Sequence, residues 1–162
     1  MPYIGNCQVG GGQRDRSGRS ATRATATAAT ATGLCHPLTS AEHRLGVVVY
    51  SPMQRGLLTG TFSPERLATL APDDHRLKHP DFQEPRFSAT LAMVEQLKKI
   101  AQRDGRTCAQ LAISWVLRRP EVTAAIVGAR RPGQIAETIQ AGDWNLNAED
   151  IAEIEQLLTD TL

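Results

Sequence analysis

The stretch Val122-Thr123-Ala124-Ala125-Ile126-Val127-Gly128-Ala129-Arg130-Arg131-Pro132-Gly133-Gln134 decides how this chain folds. Its first half is an almost unbroken apolar run of strand length, the pattern of a parallel strand covered on both faces, so it is expected at the centre of a sheet. The run ends at Gly128 and Ala129, small residues that let a ligand approach the backbone. Pro132 suits the first position of a helix, where no amide hydrogen is needed. Free N–H groups at such a helix start attract anions, and Arg130 and Arg131 add full charge beside the positive end of the dipole. Taken alone, the stretch equally fits an ordinary strand-to-helix corner with two solvated arginines.

Working outward, a second strand, Gly46 to Tyr50, runs into Ser51-Pro52-Met53-Gln54-Arg55-Gly56-Leu57-Leu58-Thr59-Gly60. A long polar loop follows from Phe62 to Phe87, with Pro64, Pro72, Pro80 and Pro85. Loops of that length are functional or disordered, and Arg76 and Arg86 are its candidates for reaching a phosphate. Ser88 is placed to cap a helix whose apolar positions Leu91, Val94, Leu97, Ile100 and Ala101 recur at helical spacing until Gly105. Thr107 and Gln110 form a capping-box pattern ahead of a helix with a buried stripe of Leu111, Ala112, Trp115 and Val116, stopping before Pro120. Arg118 and Arg119 complement the dipole at its end. A helix from Pro132 to about Ala141 and another capped by Asn147, with Ile151, Ile154, Leu157 and Leu158, complete the alternation of strands and helices.

Tyr50-Ser51-Pro52, Gly56-Leu57-Leu58-Thr59-Gly60, Ile113-Ser114-Trp115-Val116-Leu117 before Arg118-Arg119-Pro120, and Gly128-Ala129-Arg130 with Gln134 together resemble the C-terminal part of an aldo-keto reductase, from about Gly46 to Leu162. The resemblance implies an α/β fold, a partial (β/α)8 TIM barrel carrying the last two strands and their helices. It also implies an NADP(H)-dependent oxidoreductase acting on aldehydes or ketones.

By the same resemblance, Gly128, Ala129 and Arg130 correspond to the turn around the adenosine 2′-phosphate, Gln134 to a side chain bonding near that group, and Glu137 to one facing the adenine. Ser51, Pro52, Met53, Gly56 and Leu57 correspond to the stretch that wraps the pyrophosphate and nearby ribose. Arg130 argues for NADP over NAD, because a guanidinium matches a phosphate bidentately. Thr138 departs from the family, which usually has Asn there, and one hydroxyl does not replace both amide functions.

The family's chemistry rests on an Asp, a Tyr, a Lys and a His from the first half of the barrel, and none of the four motifs is visible here. Carbonyl reduction needs an acid within hydrogen-bond reach of the substrate oxygen. Tyr3 lies in an unpatterned stretch and Tyr50 at a strand end; Lys98 and Lys99 fall mid-helix, and Lys78 in a polar loop. His43, His75 and His79 show no metal-ligand spacing. No catalytic residue is therefore assigned, no metal is expected, and turnover by this chain alone is not expected.

Residues 1–45 carry no hydrophobic periodicity. Gly10-Gly11-Gly12 is followed by Arg14, Arg16, Arg19 and Arg23, and every position from Ala21 to Thr32 except Arg23 is Ala or Thr. Such a stretch buries too little apolar surface to order itself. It suits a transit peptide, a basic arm touching nucleic acid, or low-complexity text standing, through truncation or a shifted reading frame, where the earlier strands belong; the abrupt start of the family pattern near Gly46 favours the last. The formal charge of +1 gives no overall bias toward nucleic acid or acidic membranes. Cys7, Cys35 and Cys108 form no disulfide framework, so a cytoplasmic setting without membrane contact is expected. A barrel of this kind needs roughly 250 residues, and this chain has 162. Two parallel strands with their helices leave sheet edges unpaired and inward side chains without partners. Self-association through those edges, or pairing with a separate N-terminal half, is the expected remedy.

Overall fold

Val47 and Val49, the core-facing residues of the first patterned strand, must be roofed by helices, and the rest of the architecture follows from that covering. A computed structural model describes residues 6–10, 24–26 and 46–161. Its elements are β1 (Asn6–Gly10), β2 (Ala24–Ala26), β3 (Gly46–Tyr50), α1 (Pro64–Ala68), α2 (Arg86–Arg103), α3 (Cys108–Leu117), β4 (Val122–Ile126), α4 (Gln134–Ile139) and α5 (Ala148–Thr161).

The four strands form one sheet in the order β2-β1-β3-β4. β3 and β4 are parallel neighbours, with Val47 opposite Val122 and Tyr50 opposite Ile126. β1 lies antiparallel along the other side of β3. Two strands thus stand where the sequence pattern predicts none, and β3 is paired on both sides. The remaining expectations for residues 1–45, including the helix end read at Glu42 to Leu45, lie outside the described residues.

β4 is a correction. It is the edge of the sheet, not a central strand. A bulge between Val47 and Val48 sets the register so that Val47, Val49 and Val122 are buried while Ile126 is 56 % exposed. Among the described residues nothing covers the face carrying Ala124 and Ile126. Apolarity signalled the strand correctly and its second neighbour wrongly.

The covered face packs on α2, α3 and α5. Val47, Val49, Leu97, Ile100, Leu111, Trp115, Val116, Ile154 and Leu158 share one buried cluster. Each such side chain stabilises by about 1.5–3 kcal/mol relative to exposure. At the far end of α2, Arg103 pairs with Asp150 at 2.9 Å and Glu153 at 2.7 Å, and the Trp144 indole donates to Asp104 at 2.9 Å.

Helix ends follow local chemistry. The capping box is formed, with Gln110 N donating to Thr107 Oγ1 and Thr107 N to Gln110 Oε1. Asn147 Oδ1 accepts from Asp150 N at 2.8 Å, capping α5 as expected. Ser88 does not cap α2. The helix already begins at Arg86, and Glu84, one residue before the Pro85 cap position, accepts from both Ser88 N and Ser88 Oγ. α4 begins at Gln134, two residues after Pro132, because Gly133 takes a left-handed φ of 88°. The Phe62 to Phe87 segment holds α1 and two 3-10 turns, gathered on Leu57 by Phe62, Phe82 and Phe87.

Gln110 has a second task. Its Nε2 donates to the Glu137 carbonyl at 2.8 Å, while Ser114 Oγ donates to the Ala141 carbonyl at 2.8 Å. The first bond seats α4 on α3, and the second seats the 3-10 turn Gln140–Asp143 that follows it. Replacing Gln110 with Ala removes one carboxamide from both the capping box and the α4 seat. An expected loss of about 1–3 kcal/mol is checked by urea unfolding, and a change below a few tenths would contradict the dual role.

Candidate cofactor site

Parallel pairing sends both strands out of the sheet at one end. Tyr50 and Ile126 stand opposite each other, so the Ser51–Gly60 turn and the Val127–Gln134 loop leave the same edge side by side. This is the edge where parallel α/β sheets carry ligands. All ten expected cofactor-contacting residues lie on these two segments or on the helix that follows the second.

In the first segment, Pro52 and Leu57 are fully buried. Their side chains anchor the turn in the core and leave only backbone to face a ligand. Between these anchors Ser51, Met53 and Gly56 are partly exposed. The backbone is strained, with φ of 54° at Ser51, 43° at Gln54 and 56° at Arg55 before Gly56 at 103°. Positive φ at non-glycine residues persists only where surroundings over-determine it, and it clusters at functional sites. Here Gln54 N bonds to the Ser51 carbonyl at 3.0 Å, and Gly56 N and Leu58 N both bond to the Met53 carbonyl. Gln54 and Arg55 were not singled out from sequence, since neither is a residue type that signals a left-handed conformation.

Gly60 closes the turn at φ 76°. A side chain there would come within 2.8 Å of Lys98 Cε and 3.1 Å of Cys108 Cβ. Lys98 therefore lays its stem over Gly60 while its ammonium pairs with Glu95 at 2.6 Å. Burial pushes the Cys108 thiol up to about 11, so it is an inert packing group.

In the second segment Gly128, Ala129, Arg130 and Glu137 are exposed and Gln134 is partly so. Gln134 Oε1 accepts from Arg130 N at 2.6 Å and Arg131 N at 3.1 Å. The amides expected to be free for an anion are thus occupied by the chain's own carboxamide, a correction to the helix-start reading. α4 spans only 6 residues, too few for a sizeable dipole. What remains suited to a phosphate is the exposed Arg130 guanidinium, which has no ion pair among the described residues, and the open side of Gly128, where an added Cβ meets nothing within 4 Å. The residues present fit a dinucleotide phosphate through the arginine rather than through the amides. Thr138 Oγ1 donates to the Gln134 carbonyl at 2.8 Å, so its hydroxyl serves the helix.

The two loop arginines are committed elsewhere. Arg76 is buried and forks onto Asp74 at 2.9 Å and 2.6 Å, and Arg86 bonds Asp81 at 3.2 Å. Burial first, and then the nearby Arg55 charge, hold His79 below the ordinary imidazole range. Among the described residues no group of His, Cys, Asp and Glu is arranged to hold a metal. No helix among them is long and apolar enough to cross a membrane.

A model of the Aldo/keto reductase family matches residues 35–159. The chain belongs to the aldo/keto reductase family. The match starts ahead of Gly46, where the motif pattern begins. The chain is 38 % identical over 122 residues to the aldo-keto reductase YhdN of Bacillus subtilis, spanning 75 % of this chain and 36 % of that protein. It is 33 % identical over 124 residues to a putative voltage-gated potassium channel subunit beta of Schizosaccharomyces pombe, spanning 72 % of this chain and 35 % of the relative. A solved glycerol dehydrogenase of Gluconobacter oxydans superposes with a TM-score of 0.71 at 30 % identity, over 79 % of this chain and 38 % of the other. The chain therefore spans little more than a third of these relatives, and its parallel β3–β4 pair is consistent with part of a (β/α)8 barrel.

The ion pair beneath the Phe62 cluster makes a pH prediction. Hydrogen bonds from Arg76 hold the Asp74 carboxyl well below the usual carboxylate range. A depressed folded value means that the pair's stabilisation is complete above the ordinary aspartate value of about 3.9 and is lost as pH falls through the folded value. Asp74→Asn is expected to be less stable than the parent at neutral pH, with the gap narrowing progressively from about pH 4 downward. Urea midpoints at several pH values check this; a gap independent of pH would contradict it.

Proposed function

We propose that this chain supplies part of the dinucleotide cradle of an NADP(H)-dependent aldo-keto reductase, and that it does not reduce carbonyl compounds unaided. The observation that carries the reading is the emergence of the Ser51–Leu57 turn and the Gly128–Gln134 loop side by side from one parallel strand pair, in a chain of this family. When bound, NADPH supplies the hydride that goes to a carbonyl carbon.

This chain's residues hold it. Arg130 takes the 2′-phosphate, since its planar fork presents parallel donors to phosphate oxygens. Gln134 keeps the Gly128–Arg131 backbone in shape by accepting from two amides, and exposed Glu137 stands at the adenine side. Ser51, Met53 and Gly56 line the pyrophosphate and ribose, with Pro52 and Leu57 holding that turn from beneath. Adenine recognition is weaker than in a typical family member because the Thr138 hydroxyl is already engaged.

Proton delivery is what the described residues do not supply. Tyr50 is the sole tyrosine among the described residues. No described lysine, histidine or carboxylate hydrogen-bonds to it, whereas general-acid chemistry needs a partnered donor in reach of the substrate oxygen. A second reading, a half-barrel completed by a partner chain, is favoured by the open sheet face, where Ile126 is 56 % exposed.

Fluorescence titration with NADPH tests the cradle. A loop site is positioned by the scaffold beneath it, so weak binding is expected, with a Kd above about 1 µM, equivalent to roughly −8 kcal/mol. Arg130→Ala is expected to weaken NADPH about ten-fold or more while leaving NADH unchanged. Equal loss for both nucleotides, or carbonyl turnover by the purified chain, would overturn the proposal; binding tighter than that limit would show that the cradle is complete in this chain alone.

A further inference from the structure

β1 stands where a closed barrel would have a different strand. It runs the whole length of β3 residue for residue, from Asn6 opposite Tyr50 to Gly10 opposite Gly46, in the antiparallel sense. On the other side of β3, β4 is parallel. In a (β/α)8 barrel each strand has parallel neighbours on both sides, so an antiparallel partner on β3 belongs to no position in such a ring. β2 covers β1 in turn, with Cys7 opposite Ala26 and Val9 opposite Ala24.

Backbone hydrogen bonds decide what this placement excludes. Val47 N donates to the Glu121 carbonyl at 3.2 Å, which turns that amide toward the β4 side. Alternation along an extended strand then turns the Val48 and Tyr50 amides toward β1. Gln8 lies opposite Val48, and opposite residues of this kind in an antiparallel ladder exchange both of their backbone bonds. A strand edge carries a single row of donors and acceptors, and β1 fills that row along all of β3. Left open, the same row is a template for another strand.

We propose that β1 is a cap in cis: it holds the β3 edge closed to strand addition, and a parallel strand reaches that edge only after β1 has left. A half-barrel completed by a partner chain, the second reading above, therefore has to displace residues 6–10 before its ring closes. Among the described residues β4 has no such cap, since it ends the sheet. Completion of the ring is thus made conditional on the release of one strand of 5 residues.

Residue-resolved hydrogen exchange on the full chain tests the cap, and sedimentation velocity tests what the cap prevents. The Val48 and Tyr50 amides are expected to be protected in the parent. Gln8→Pro removes the backbone donor that faces β3, and is expected to speed exchange at both amides about ten-fold or more while the centres of α2 and α3 are unchanged. With its β3 edge open, this variant is expected to self-associate at concentrations where a locked chain does not. The lock is Gln8→Cys with Val48→Cys in a chain carrying Cys7→Ser and Cys35→Ser. Opposite Cα atoms of such a hydrogen-bonded pair lie about 5.5 Å apart, within disulfide reach, so the lock is expected to oxidise spontaneously and to keep the parent's size. Unprotected Val48 and Tyr50 in the parent, protection that survives Gln8→Pro, or a lock that does not form each overturn the cap. A released chain that sediments like the locked one overturns its role as a bar to strand addition. None of these readouts involves nucleotide, so a chain without NADPH affinity would fail the cradle and leave the cap standing.

Discussion

One-sided burial of the β3–β4 pair is the constraint on which the rest of the molecule depends. Parallel strands cannot be joined by a tight turn, so the chain must travel out and back between them, and here it does so through α1, α2 and α3. Of these, α2 and α3 lie over the face carrying Val47, Val49 and Val122, and α5 joins the same layer from beyond β4. The other face gains nothing from this connection. Its exposed Ile126 and the unpaired edge of β4 are consequences of the same topology.

The covered layer also shapes the loops. Pro52 and Leu57 are rooted in buried positions on either side of a strained backbone, so the turn after β3 is held from below while Ser51, Met53 and Arg55 face outward. After β4 the support is different. Gln134 folds back onto two amides, and α4 and the turn after it rest on α3 through Gln110 and Ser114. The loop after β4 thus presents an exposed arginine on a braced backbone in place of a row of free helix-start amides.

Features governed by neighbours in sequence were legible in advance. The Thr107–Gln110 box, the Asn147 cap, the end of α2 near Gly105, and both strands of the parallel pair were read correctly, because each depends on side chains within one or two turns. Features decided by partners distant in sequence were not. The apolar run in β4 looked central because hydrophobicity reports that a strand wants cover, not whether the chain provides it. Arg76 looked free for phosphate until the fold placed it under Phe62 in contact with Asp74. The start of α4 shifted because Gly133 took a left-handed conformation that Pro132 did not foretell. In the candidate site the two segments were recognisable through family resemblance, but the self-capping by Gln134 and the strained Gln54–Arg55 backbone were visible only in three dimensions.

Native-state hydrogen exchange across β3, β4 and the helices α2, α3 and α5 tests most directly whether the parallel pair and its helical cover form one folded unit. Amides of Val47–Tyr50 and Ala124–Ile126 are expected to exchange with the same opening free energy as the centres of α2 and α3. Rapid exchange at β3 and β4 beneath well-protected helices would show that the strands are not held by that layer, and would contradict the account of both the fold and the site built on its edge.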